Sequence, residues 1–486
     1  SRRNVQPPSQ RAESRPKIGQ SPAIRGNAAS MHRYFPRKSL GIALLATPLA
    51  CSKSPDEVAL SQVSIVPDVP VPAEDGPRLG ATAHATPVRL SPHRAAPPVG
   101  YLHAGALVAR AEQPYSHEGC DEGWYPVRPR GFVCLDEGAT LDLAHPTLAT
   151  MAIQPDLDSA LPYTYARTTR DSQLWVPANA QQRTIAPERS ITSRSGAAIV
   201  GSWEATDPQG QPHRLAMLTN GRFLDVNDVE EATFSDFVGL SLSESEKLPV
   251  GYIVKRGIAG WDINGVRFER KRELEYHELV RLTGRTRDIK ETRYWETADG
   301  LWVRHQDMTT IAARTEKPAF VKPGMRWIDV SVIAGTLVAY EGNDPVYATL
   351  VSVGRDRTSD ELPEAKVTKR GEFPVTAKYV TALHSDVTSF ANRVEIHDAP
   401  WVIEMASGQS IHGAFWHDRF GIEHGDGNLQ LSPADARWLF HWVTPEVPAG
   451  WHGVNTQPSD TAPSDDVVPI LPAPSKPLPT IVNIRK

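Results

Sequence analysis

Residues 325–355, MRWIDVSVIAGTLVAYEGNDPVYATLVSVGR, constrain the fold more than any other stretch of this chain. Apolar and polar residues alternate through it. An Ala-Gly turn and a Glu-Gly-Asn-Asp-Pro turn divide it into three runs. A period of two sends successive side chains to opposite faces of a strand, so an antiparallel meander of three strands is expected here.

Past this meander, TKRGEFPVTAKYV opens another strand, and residues 401–405 lead into IHGAFWHDRFGIEHGDGNLQLSPADARWLF, residues 411–440. This segment gathers His412, His417 and His424, with Asp418 and Asp426 close by and four glycines. Ser432-Pro433-Ala434-Asp435 reads as a helix start, with Ser at the N-cap, Pro at the first helical position and Asp in the first turn. Residues 436–443 are apolar on one face. The segment is therefore strand, glycine loop, then helix N-terminus, a place where backbone N–H groups can stabilise an oxyanion. It holds no cysteine, and no Ser–His pairing replaces one.

A chain of 486 residues implies two to four domains, and 40% hydrophobic residues supply enough material for their cores. The 42 prolines crowd towards the two ends, which points to linkers there. A formal net charge of -5, with no sustained basic stripe past residue 40, argues against a nucleic-acid partner. No apolar run reaches the ~20 residues that span a bilayer as a helix. The three cysteines are Cys51, Cys120 and Cys134, a pattern that suits an exported protein with one disulfide better than a cytosolic metal site.

Residues 1–30 are polar and Arg-rich and read as a disordered upstream extension. Residues 31–51 follow a signal-peptide layout: Arg33, Arg37 and Lys38, then a short apolar run, then Cys51. That ending resembles a bacterial lipoprotein lipobox, with Cys51 as the lipidated residue, although Pro48 departs from the pattern. Export to the periplasm, or to the outer membrane as a lipoprotein, is the expectation, with membrane attachment only through a lipid on Cys51. Residues 52–77 read as an extended linker.

Short apolar runs split by Pro, Gly and Asp turns fill residues 78–142. The block VGYLHAGALVAR…GCDEGWYPVRPRGFVCL resembles bacterial SH3-like domains. That resemblance implies a small β-barrel with a cross-strand disulfide between Cys120 and Cys134, serving either as a cell-wall peptide binder or as a purely structural module. Residues 143–319 read as a β-rich accessory region. Within it, Ala298-Asp299-Gly300 marks a hairpin, residues 272–282 fit strand or helix, and His277 and His305 are lone surface or packing histidines. Residues 452–486 are Pro/Ser/Asp-rich and read as a tail, either plain or a polyproline docking segment.

From about residue 320 to 451 the chain resembles the L,D-transpeptidase (YkuD) catalytic domain. The residues that carry the likeness are the meander, Thr368–Phe373 as the family's Thr-Pro-x-Gly-x-Phe element, Ile411-His412-Gly413, Trp416-His417-Asp418, Phe420-Gly421 and Leu431–Ala436. The fold class expected is thus mainly β and multidomain, ending in a YkuD-like β-sandwich with a short helix. The family cross-links peptidoglycan stem peptides through a cysteine acyl-enzyme, with the signature Ser/Thr-His-Gly-Cys. In gapless alignment Gly425 takes the place of the Ser, Asp426 that of the His, Gly427 that of the Gly and Asn428 that of the Cys, and the last polar position becomes Gln430; a frame slid to match His424-Gly425 puts Asp426 at the Cys instead and needs a two-residue insertion before the helix, and neither frame supplies a thiol. An amide is not a nucleophile, and a carboxylate cannot replace an imidazole poised near neutral pH.

The resemblance thus implies a stem-peptide cleft lined by His412, Gly413, Trp416, Gly425, Gly427, Asn428 and Gln430. No catalytic residue, cofactor or metal is assigned to it. A non-catalytic peptidoglycan-binding or regulatory protein, with stem peptides and other envelope proteins as partners, is the first reading. An active L,D-transpeptidase or peptidoglycan-remodelling enzyme working by another route is the second. A metal-dependent hydrolase using His412, His417, Asp418, His424 and Asp426 is the third.

Overall fold

The computed structural model of the protein describes residues 67–265, 267–354, 367–386, 394–424, 427–456 and 479–486. Residues 1–66, read as extension, signal peptide and linker and including Cys51, lie outside these residues, as do Arg355, Gly425, Asp426 and most of the Pro-rich C-terminal stretch. The described chain is mainly β. Its two α-helices are Pro146–Thr150 and Pro433–Trp442.

The meander forms as an antiparallel set: Arg326–Ser331, Thr336–Glu341 and Asp344–Leu350. Both of its faces are covered. Ile328, Val330, Leu337 and Ala339 enter one core, while Trp327, Val338, Tyr340 and Leu350 enter another. Each fully buried aliphatic side chain of this kind contributes about 1.5–3 kcal/mol. The Ala-Gly turn needs its glycine. Gly335 has φ +63, and a Cβ there would stand 2.5 Å from the carbonyl oxygen of Gly421.

The long strand Gly371–Asp386 joins two sheets. Its first residues pair with Ile481–Arg485, and the rest pair with Val394–Met405. Val394–Met405 in turn pairs with Ser410–Gly413, which pairs with Leu429–Leu431. Helix Pro433–Trp442 lies on this second sheet and buries Ala436, Leu439 and Phe440 in the core that holds Trp401.

The end of the chain departs from its reading as a tail. Gly453–Asn455 pairs with Gly371–Asp386 and with Pro98–Leu102. Ile481–Arg485 runs parallel to Arg326–Ser331 and antiparallel to the start of Gly371–Asp386, so it is an interior strand of its sheet. Val482 and Ile484 are buried there. Proline richness masked a five-residue strand that alternates cleanly, IVNIR. The linker is also shorter than residues 52–77, because Pro72 is buried and its carbonyl accepts from Arg128.

The N-terminal strands run from Arg78–Ala81 to Ala139–Thr140, and Cys120 is disulfide-bonded to Cys134. The middle of the chain divides in two. Strands between Thr164 and Glu231 join the second sheet, where Gly196 pairs with Ile396. Strands between Val250 and Ile311 form a separate seven-stranded sheet. Residues 272–282, open between strand and helix in the sequence, fall in two strands, Arg267–Leu274 and Leu279–Ile289. One device closes three successive stretches, a strand, a single 3-10 turn and a final strand. It occurs at Leu135–Glu137, Val226–Asp228 and His305–Asp307.

Candidate functional site

Two short parallel strands set the site. Ile411 lies opposite Leu429, His412 opposite Gln430 and Gly413 opposite Leu431. Ile411, Leu429 and Leu431 are fully buried in the core and fix the register. Alternation then puts Ser410 and His412 of one strand on the same face as Asn428 and Gln430 of its neighbour. His412 thus meets Gln430, not Asn428, across the ladder.

Each of these polar groups is engaged. The Asn428 side-chain oxygen accepts from the Ser410 backbone N–H at 2.9 Å and from the Ser410 hydroxyl at 3.3 Å. The carbonyl of Gly427, just before it, accepts from the Thr368 hydroxyl at 3.0 Å and from the Gln409 amide at 2.9 Å. The Thr368 element therefore clamps the end of the glycine loop.

Gln430 is fully buried, and its Oε1 takes a 2.6 Å hydrogen bond from His417 Nε2. The Arg419 backbone N–H donates to His417 Nδ1 at 3.1 Å, which places the ring proton on Nε2. Both nitrogens are then used. Burial, reinforced by His424, whose ring meets it edge-on at 4.4 Å, pushes the His417 pKa down to about 3. His417 is thus a neutral donor with no free lone pair, and cannot act as a general base as it stands. His424 is also shifted down, by burial and then by Arg419.

His412 is buried, with Nδ1 at 3.2 Å from the Gly413 carbonyl and its ring stacked on Trp416 at 5.7 Å. Trp416 reaches a cavity of about 480 Å³ that Phe415, His417 and Asp418 also line.

Gly413 does not line the cleft. A Cβ there would meet Pro400 Cγ at 3.1 Å and Ala436 Cβ at 3.2 Å, so this glycine lets the helix settle on the sheet. The helix start forms as its sequence signals: Ser432 is the N-cap and accepts from the Asp435 N–H at 3.1 Å. Asp435 is fully buried and accepts from the Tyr347 hydroxyl at 2.7 Å, the Gly239 N–H at 2.7 Å and the Thr349 hydroxyl. Lys378 lies away from the cleft. It is buried beneath the helix end, donates to the Val443 carbonyl at 2.7 Å, and has its pKa lowered by burial to about 7.

Among the described residues, the ligand set of a metal hydrolase does not assemble, and Asp426 lies outside them. His417 has both nitrogens occupied, and Asp418 pairs with Arg256 at 3.2 Å. Among the described residues the one group of three or more His, Cys, Asp or Glu ligand atoms that gathers is Cys120, Cys134 and Asp136, where both sulfurs are in the disulfide.

Sequence reading missed the far wall. Arg256, Tyr276 and His277 come from the seven-stranded sheet and line the same cavity as Trp416 and His417. Tyr276 donates to the Asp418 carbonyl at 3.1 Å, and the Arg256 guanidinium lies over the Tyr276 ring at 4.5 Å. About 140 residues separate these partners in sequence, and no motif links them.

Residues 325–465 match the family model of the L,D-transpeptidase catalytic domain (YkuD), less than half of the chain. No curated protein matches. Among solved structures, an L,D-transpeptidase from Xylanimonas cellulosilytica is 16% identical, with a TM-score of 0.22, over 35% of this chain and 65% of that one. A mutant L,D-transpeptidase from Enterococcus faecium is 14% identical, with a TM-score of 0.23, over 36% and 55%. One from Mycobacterium smegmatis is 14% identical, with a TM-score of 0.23, over 43% and 82%. The chain thus spans less than two thirds of the first two.

Proposed function

Taking residues 325–465 as a domain of the L,D-transpeptidase family, we propose that the protein binds peptidoglycan stem peptides without transferring them through a cysteine. The observation that carries this reading is Asn428. In gapless alignment it falls at the position of the family's nucleophile, and its side-chain oxygen is bonded to Ser410. Acyl transfer through an enzyme needs an electron pair that can attack a carbonyl, and a carboxamide nitrogen has delocalised its own. Cys120 and Cys134 are consumed in a disulfide. His417 has no free lone pair to offer as a base. What remains suits recognition: a stacked His412–Trp416 pair, a clamped glycine loop and a capped helix start.

The test is co-sedimentation of the full chain with purified peptidoglycan, followed by chromatography of the digested muropeptides. The reading predicts retention in the pellet with an unchanged muropeptide profile. New cross-links, or exchanged terminal residues, would contradict it.

A further inference from the structure

Three histidines gather where the N-terminal strands meet the second sheet. His84 lies in the turn before strand Thr86–Arg89, His103 follows strand Pro98–Leu102, and His452 precedes Gly453–Asn455. The junction there pairs Gly100 with Val454 and Tyr101 with Gly453. Trp451 reinforces it, buried in the core of the N-terminal strands and donating to the Arg128 carbonyl at 3.0 Å. The rings of His84 and His452 stand 4.8 and 4.7 Å from that of His103. All three line a cavity of about 560 Å³. His103 and His452 also line a second cavity, of about 510 Å³, so the pair stands between two voids rather than in close-packed core.

Hydrogen bonds and ring contacts join them into one file. A carbonyl only accepts, so His103 Nδ1, 3.3 Å from the Ala104 carbonyl, carries that ring's proton. Its Nε2 therefore accepts from His84 Nδ1 at 3.0 Å. At the other end the Thr381 hydroxyl donates to Asp398 Oδ1 at 3.2 Å, so it accepts from His452 Nε2 at 2.9 Å. His84 is exposed, and this gives the buried rings a route to solvent. It takes a proton from water on Nε2 and passes the one on Nδ1 to His103 Nε2.

The closed junction resists that proton. Burial holds His103 down at about 4 and His452 well below its ordinary 6.5, and for each the second cause is another histidine of the file. Among the described residues neither ring bonds to a carboxylate. The charged groups that other elements turn towards the cavity are engaged elsewhere. Arg189 is paired with Glu395, Arg222 with Glu188, and His397 faces Glu395 at 3.3 Å. Tyr101 and Tyr379 present phenol rings. Burial raises Asp398, whose linkage therefore has the opposite sign. Its donors Ala198, Thr219 and Thr381 all belong to the second sheet, so parting of the junction leaves it paired. For His103 and His452, closure is strongest above pH 6.5 and weakens as pH falls towards 4.

We propose that the His84–His103–His452 file is an acid-sensitive latch: neutral, it holds the N-terminal strands, residues 78–142, against the second sheet, and protonated, it lets them part while the meander stays folded. Two of its residues belong to the N-terminal strands and the third to the sheet's side, so proton uptake acts across the junction and not within either part. The latch is independent of what the cleft binds.

The experiment is hydrogen exchange of the full chain, read by mass spectrometry at pH 7, 6 and 5. Protection is expressed relative to the intrinsic exchange rate at each pH, which removes the chemical pH dependence. Peptides over residues 98–102 and 451–455 report the junction, and peptides over residues 326–341 report the meander. A His103 ring at about 4 in the closed junction and at 6.5 in the open one predicts a fall in junction protection of at least about tenfold from pH 7 to 5. The meander should fall less. The double variant His103→Gln, His452→Gln removes both buried titrating rings and should flatten the junction's fall to under about threefold. Because that variant replaces two buried rings, the wild-type profile is a test by itself. Junction protection that stays constant, or falls no more than the meander's, overturns the proposal, and so does a folded double variant that keeps the full fall.

Discussion

The two sides of the cleft use similar polar residues to different ends. On the helix side, Asp435 draws donors from Gly239, Tyr347 and Thr349, groups that lie 86 to 196 residues away in sequence. On the loop side, Asn428 and Gln430 bond to Ser410 and His417, 18 and 13 residues away. The helix side reinforces a junction where Leu240–Ser241 already pairs with Asp344–Leu350 and ties the helix start to it. The Asn428 and Gln430 side chains bond to closer partners, while the backbone of the loop side carries the longer ties, to Thr368 and Ser352. The Asn428 and Gln430 side chains can therefore change with less effect on the frame than Asp435 can.

The comparison breaks first at Asp435. Asp435→Ala strands three buried donors and should cost about 3 kcal/mol or more, read as a fall in the urea midpoint. A loss under about 1 kcal/mol would mean that the helix side is no more deeply tied than the loop side.

pH separates the two sides next, because their linkages have opposite signs. The folded-state pKa of His417, at about 3, lies below its ordinary 6.5, so its contribution is full above pH 6.5 and is lost as pH falls towards 3. Asp435 is raised from 3.8 by burial, so its contribution is present below 3.8 and is lost as pH rises through the folded value. As pH falls from 7 to 5 the His417 contribution diminishes, together with those of His103, His277 and His452, which burial also holds low. The wild-type melting temperature should fall over that window, and the fall should shrink in His417→Asn.

Smaller effects belong to the loop side alone. Gln430→Leu removes the acceptor of His417 but also removes an Nε2 that is buried without a partner. The two partly offset, leaving a loss of about 1 kcal/mol. Asn428→Ala frees a half-buried contact to Ser410 and should cost about 0.5 kcal/mol, the smallest change of the series.

The frame was legible in the sequence because it rests on local signals. Strict alternation marked the meander, and Ser432-Pro433 marked the helix start, since caps and periodicity are written into adjacent residues. The register of Ser410–Gly413 against Leu429–Leu431 was not among them; burial of Ile411, Leu429 and Leu431 fixes it. Contacts made at long range were not legible. The strand Ile481–Arg485 hides behind a Pro-rich stretch, and its place is set by pairing with residues 326–331 and 371–374. Gly413 read as a cleft residue until Ala436 was found 3.2 Å from where its Cβ would stand. His277 read as a surface or packing histidine because neither its left-handed backbone nor its place beside Trp416 leaves a mark in neighbouring residues.

The central claim is that the cleft has kept its shape and lost its nucleophile at Asn428. Intact-mass spectrometry after incubation with a carbapenem tests it most directly, on the wild-type chain beside the double variant Asn428→Cys, Asp426→His. The account predicts an unchanged wild-type mass and a double variant heavier by one acyl adduct. A wild-type chain that gains the adduct would contradict it.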